Sequence, residues 1–290
     1  MKKLFLVMAA GLLLASCSKK EGLTPVQPQG SANVNVHVDE FSISVDTIPN
    51  RDEIPTVVKA ITLAFYNTDD GIEQYKVTQV RSDNTPSETF GEFNLSLPMG
   101  SYTMVVLGYG TLEGCEMVLT SPVSATFTGG HALETFAATQ TVDVVTTDDV
   151  DISATLNRIV SKLQVVSTDG KTSNASRMQM TLSGGSRSFS PTTGLATDNN
   201  GFVNSVNIGA AVGAHSTSTT FLFLATDEQT MTVTIDVLDS SEESISHKVV
   251  TNVPLQRNRV TKLTGSLYSA GGSTNFTVST DWLDDVVIPF

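Results

Sequence analysis

Apolar and polar positions alternate strictly along much of this chain, and a period of two marks strands with one buried face. Val34-Asn35-Val36-His37-Val38 sets three valines on one side. Phe41, Ile43 and Val45 continue the pattern one step out of phase. Tyr75–Val80, Phe93–Leu97 and Met231–Val237 alternate likewise, and their β-branched residues suit a pleated surface. Turn chemistry separates the runs at Asp69-Asp70-Gly71, Pro98-Met99-Gly100, Thr168-Asp169-Gly170 and Asn199-Asn200-Gly201. Only His131–Thr139 predicts a short helix, with a loop as the alternative because Gly129-Gly130 precedes it. The stretch Ser183–Thr220 is rich in Gly, Ser, Thr and Asn but includes Phe189, Leu195, Phe202, Val206 and Ile208, and reads as loops with short strands. Many short strands at spacings of roughly ten residues predict an all-β chain of sandwiches. A division at the acidic turn Asp148-Asp149-Val150-Asp151 gives two domains, 33–150 and 151–290, each of ordinary sandwich size. One extended sandwich is the alternative.

The first residues predict export. Lys2 and Lys3 precede an apolar stretch, Leu4–Leu14, that falls short of the roughly 20 residues needed to span a bilayer. That pairing describes a secretory signal, residues 1–16. It closes on Leu14-Ala15-Ser16-Cys17, which resembles a bacterial lipobox, so Cys17 is the expected site of acylation and the anchor to the outer membrane. Residues 17–32 are polar, contain Gly22, Pro25, Pro28 and Gly30, and read as a tether.

Charge narrows the partners. The formal net charge of −13 becomes −15 when the signal, with two lysines and no acid, is removed (15 basic against 30 acidic residues). So acidic a chain is a poor match for nucleic acid or for polybasic adhesion to anionic lipid. With Cys17 acylated, Cys115 is left without a partner for an internal disulfide and reads as a buried structural thiol. The four histidines, His37, His131, His215 and His247, are scattered and form no metal-ligand pair spacing. Gly184-Gly185-Ser186-Arg187 is a turn rather than a nucleophile elbow, and no phosphate-cradling loop occurs. The acidic clusters Asp148-Asp149-Asp151 and Asp281-Asp284-Asp285 do not follow the EF-hand pattern and read as solvated turns. The expectation is a non-enzymatic protein without metal or cofactor.

Three segments carry a family resemblance. Leu97–Val106 is a tight turn feeding a buried strand with Tyr102 at its entrance; Leu156–Val165 opens the second half; Val253–Gly265 is a polar turn entering a late strand. Together with the lipobox they resemble the fimbrillin family, lipoprotein subunits of type V pili in Gram-negative bacteria. The resemblance implies two tandem transthyretin-like β-sandwich domains and a place in a fimbria at the cell surface. It also implies assembly by β-strand addition to other pilus subunits, in support of adhesion. In that scheme an Arg-specific protease removes the first strand, and a neighbour's strand fills the groove. Arg51, followed by Asp52, is the only arginine between Ser31 and Ala60 and is the candidate processing site. Phe276, Val278, Trp282, Val286 and Ile288, within 276–290, are the candidate donor strand; folding back as the last strand of its own domain is the other outcome. The rival function is a non-polymerising surface lipoprotein that binds glycan or host protein.

Overall fold

The computed structural model describes residues 30–42, 57–81, 89–269 and 277–282. These contain strands and no α-helix. In chain order they are β1 (Ser31–Ser42), β2 (Ala60–Asn67), β3 (Glu73–Val80), β4 (Glu92–Pro98), β5 (Gly100–Tyr109), β6 (Met117–Ser121), β7 (Ser124–Phe127), β8 (Thr135–Val144) and β9 (Val150–Arg158). The remainder are β10 (Ser161–Ser167), β11 (Arg177–Leu182), β12 (Ser188–Phe189), β13 (Phe202–Asn207), β14 (Thr217–Leu222), β15 (Glu228–Leu238), β16 (Ser244–Gln256), β17 (Arg259–Gly265) and β18 (Thr277–Trp282).

The first seven-stranded sheet runs β3-β2-β5-β8-β9-β1-β4. Its weak point is the β8–β9 join, which rests on two pairs, Phe136↔Arg158 and Ala137↔Asn157. There the sheet folds over itself, so that Leu63 and Met104 of one layer pack in one core with Val36, Leu95 and Ile152 of the other. β9, which starts at the residue where the sequence suggests a division, belongs to this sheet. In the second half, β14-β10-β17-β18 faces β13-β11-β15-β16 over a core that includes Leu163, Met180, Val233 and Leu263.

A third core joins the halves. The strands β12-β7-β6 form a small sheet in which Ser188 and Phe189, from beyond residue 150, pair with Thr126 and Ala125 from before it. Beneath it Phe189 stacks on Phe223 with ring centroids 4.1 Å apart, and Phe127 stacks on both. This cluster covers the outer face of β2 and β5 through Ala64, Tyr66, Val105 and Leu107.

Coverage of both faces explains where alternation fails as a guide. Sheet strands buried on two sides read as near-continuous apolar runs. Seven consecutive residues of β2 are buried, so Ala60–Asn67 carries no period-two signal. The helix expected over His131–Thr139 is not formed; this segment enters β8, which pairs with β5 from Thr135↔Tyr109 to Val144↔Gly100. Phe136 turns into the first core and Ala137 into the third, and ten ladder pairs outweigh the helical preference of alanine and glutamate. Alternation works where one face meets solvent, as in β4 and β15. The phase change after Val38 has a local cause: the register with β9 slips between Val38 and Glu40, and this bulge lets Val38 and Phe41 both point inward.

At the turn between β4 and β5, Tyr102 is buried and its hydroxyl donates to the Pro98 carbonyl at 2.7 Å. Tyr102→Phe keeps the ring and removes one neutral hydrogen bond, so thermal denaturation is expected to show a loss of about 1 kcal/mol.

Candidate functional site

β1 is the N-terminal strand of the described chain, yet it lies inside the sheet. It pairs antiparallel with β4 from Ser31↔Pro98 to His37↔Glu92, and parallel with β9 from Val34↔Val150 to Ser42↔Asn157. Its inner face buries Ala32, Val34, Val36, Val38 and Phe41. Each buried valine contributes about 1.5–3 kcal/mol by removal from water. Its outer face is tied down by polar partners: Asn33 donates to Asp149 at 2.9 Å, Asn35 to Asp151 at 2.7 Å, and His37 is hydrogen-bonded to Glu92. Asp149 and Asp151 are therefore partners of β1, a role their sequence neighbourhood did not disclose. The groove that β1 fills is walled by β4 and β9.

After β17 the chain is held by a clamp at Asp169. The Asp169 carboxylate accepts hydrogen bonds from the backbone N–H groups of Leu267, Tyr268 and Ser269 at 2.7–2.9 Å. The hydroxyls of Ser266 and Ser269 donate to it as well. Partial burial alone would raise this carboxyl, but the Leu267 amide and the other donors outweigh it and hold the pKa at about 2. Just beyond, β18 pairs antiparallel with β17 at the edge of the sheet, from Thr277↔Thr264 to Trp282↔Arg259. Of the candidate donor residues, Val278 and Trp282 lie in this strand, while Phe276, Val286 and Ile288 lie outside the described residues, as do Cys17, Arg51 and Asp52.

Between the halves lies a cleft of about 820 Å³. One wall is β8 and β9 where they diverge; the other is the 191–194 loop and the tip of the β16–β17 hairpin. That tip is the two-residue turn Arg257-Asn258, with Asn258 in the left-handed region at φ 59°, a conformation asparagine tolerates. The tip is docked on the first half through Arg158, whose Nη1 donates to Asn258 Oδ1 at 3.2 Å while Nη2 pairs with Glu134 at 2.8 Å. The Arg158 guanidinium also lies over the Phe136 ring, 4.9 Å from its centroid. Burial lowers the pKa of this guanidinium, and Glu134 acts in the opposite sense. Arg257 pairs with Asp227 at 2.7 Å and donates to the Thr193 carbonyl at 2.9 Å. Arg158 belongs to the segment Leu156–Val165 and Arg257 and Arg259 to Val253–Gly265, far apart in the sequence; the topology brings them to one cleft.

The residues weighed for catalysis are not brought together. Cys115 is buried with its thiol against the His131 carbonyl, and burial pushes its pKa up, which disfavours the reactive thiolate. Ser186 donates to Asp198 at 2.9 Å and forms an isolated backbone bridge with Phe223. His247 is hydrogen-bonded to Asp236 on the neighbouring strand. Among the described residues no group of His, Cys, Asp and Glu is arranged to hold a metal ion.

The fold is similar to that of solved proteins at low sequence identity. A candidate adhesin from Bacteroides ovatus superposes with a TM-score of 0.50 at 12% identity, covering 82% of this chain and 88% of its own. The fimbrial anchor protein Mfa2 from Porphyromonas gingivalis gives a TM-score of 0.48 at 12% identity, covering 86% of this chain and 95% of its own. No curated protein matches the chain in sequence. A family model does, over residues 119–289, from β6 past β18, and the chain belongs to that family, one of unknown function (DUF6562).

Proposed function

We propose that this chain is a fimbrial subunit, exported as an outer-membrane lipoprotein through Cys17, that joins other pilus subunits by β-strand addition at the cell surface. The observation that carries the reading is the placement of β1. It is the first strand of the described chain, yet it sits between β4 and β9 with five apolar side chains buried. Arg51 lies in the sequence between β1 and β2, so a cut there separates β1 from the strands that follow it among the described residues. What remains is a groove with two backbone edges and an apolar floor, the surface that strand addition needs. The candidate donor, Phe276, Val278, Trp282, Val286 and Ile288, carries apolar residues on one face at the same period of two as Ala32, Val34, Val36 and Val38. The fold shared with a candidate adhesin supports a surface role.

Protein made without its signal and treated with an Arg-specific protease is expected to yield a single new N-terminus at Asp52. Ladders that survive mild heating in detergent should follow. Resistance at Arg51, or cleavage without oligomers, would overturn assembly by this route.

A further inference from the structure

The cleft between the halves is an opening in a sheet. β8 and β9 are neighbours, yet they pair only at Phe136↔Arg158 and Ala137↔Asn157 among the described residues. β8 runs on to Val144 and β9 begins at Val150. Beyond the join, each strand therefore turns towards the other a backbone edge with no ladder partner among the described residues. The cleft is lined there by Ala138, Thr139 and Gln140 of β8 and by Ser153 and Ala154 of β9. Ala138 and Ala154 belong to the side of the first core, and Ile159 and Pro191 add apolar surface to the lining. The cleft arginines are engaged elsewhere, Arg257 by Asp227 and Thr193, and Arg158 by Glu134 and Asn258. What the cleft offers is backbone edges and small apolar side chains, the surface that an added strand takes.

The register of β18 brings a strand to it. β17 runs away from the hairpin tip and β18 runs back towards it, ending at Trp282↔Arg259. Arg259 lines the cleft, so the chain that follows Trp282 starts at its rim and heads for the first half. Residues 283–290 read Leu283-Asp284-Asp285-Val286-Val287-Ile288-Pro289-Phe290. Extended, they reach about 26 Å, against roughly 10 Å for Ala138–Gln140. Val286-Val287-Ile288 is a β-branched run, which suits a strand covered on both faces.

We propose that residues 283–290 dock in the β8–β9 opening of their own chain, adding a strand to the unpaired edge of β8. The result is self-capping: a segment held in this cleft is withheld from any other acceptor. The docking does not depend on how the subunit assembles; that the capped segment is a donor rests on the function proposed above.

The test is amide exchange on the uncut mature chain, at full length and ended at Trp282. Successive strand amides point to opposite edges, so Ala138–Gln140 include at least one N–H directed away from β5. Ending the chain at Trp282 is expected to raise exchange there by about tenfold or more, and a peptide of residues 283–290 to restore the protection. Val286→Asp with Ile288→Asp in the full chain puts two charges into the apolar run and should raise exchange at the same place. If the shortened chain fails to fold, this comparison, which keeps every residue of β18, still decides. β4 borders the β1 groove and not this cleft, so its exchange is expected to stay unchanged, and the outcome is read apart from strand donation. Exchange at Ala138–Gln140 that ignores these changes would overturn the inference. Protection that falls on about tenfold dilution would assign the docked segment to a second copy and overturn docking within one chain.

Discussion

Arg158→Ala is expected to lower stability by about 3–5 kcal/mol, because it strands a largely buried carboxylate and removes one of the links between the halves. The Arg158 side chain is 2% exposed and that of Glu134 17%, so Glu134 would lose its cation with little water to replace it. Asn258 would lose its donor, and Phe136 the guanidinium above its ring. Urea denaturation followed by tryptophan-independent circular dichroism should show the shift. The double change Arg158→Met with Glu134→Leu is expected to recover most of the loss, since replacing both charges leaves nothing unpaired. If the single and double variants lose equally, the packing of this corner matters and the ion pair does not.

Asp169→Ala is expected to cost about 2–3 kcal/mol at neutral pH, since three amides and two hydroxyls lose one charged acceptor. The carboxylate is partly exposed, and solvent screening holds the effect near the lower end. Its folded pKa of about 2 lies below the ordinary value near 4. The contribution is therefore complete above about pH 4 and is lost as the pH falls towards 2. Wild type should lose stability across that window faster than the variant, and the two melting curves should converge at its acid end. Hydrogen exchange should also rise at 266–269 in the variant, because Asp169 accepts from the amides of Leu267, Tyr268 and Ser269. Parallel pH profiles for the two proteins would show that Asp169 is not the group responsible.

How much of this could be read from the sequence depended on which faces water reaches. β1, β4 and β15 were readable because each shows one face to the core and the other to solvent or polar partners. β2 and the start of β8 were not, because the third core covers their outer sides and erases the alternation. The turn at Asp69-Asp70-Gly71 falls where expected, with Gly71 at φ 72°, whereas Asn199-Asn200-Gly201 is an irregular connection between β12 and β13 with Gly201 at φ 70°. Thr168-Asp169-Gly170 bends the chain after β10, but the partners of Asp169 lie 97–100 residues downstream, beyond the reach of local pattern. The same holds for the arginine cleft, whose members come from the end of β9 and the β16–β17 hairpin. Cys17, Arg51 and Asp52 were readable only as motifs and lie outside the described residues.

The central claim, that the β1 groove accepts a donated strand, is tested most directly by hydrogen exchange. The protein cut at Arg51 would be measured before and after adding a peptide spanning residues 276–290. β4 (Glu92–Pro98) and β9 (Val150–Arg158) are expected to lose protection on release of β1 and to regain it with the peptide. Exchange in β4 and β9 that does not respond to the peptide would contradict that claim.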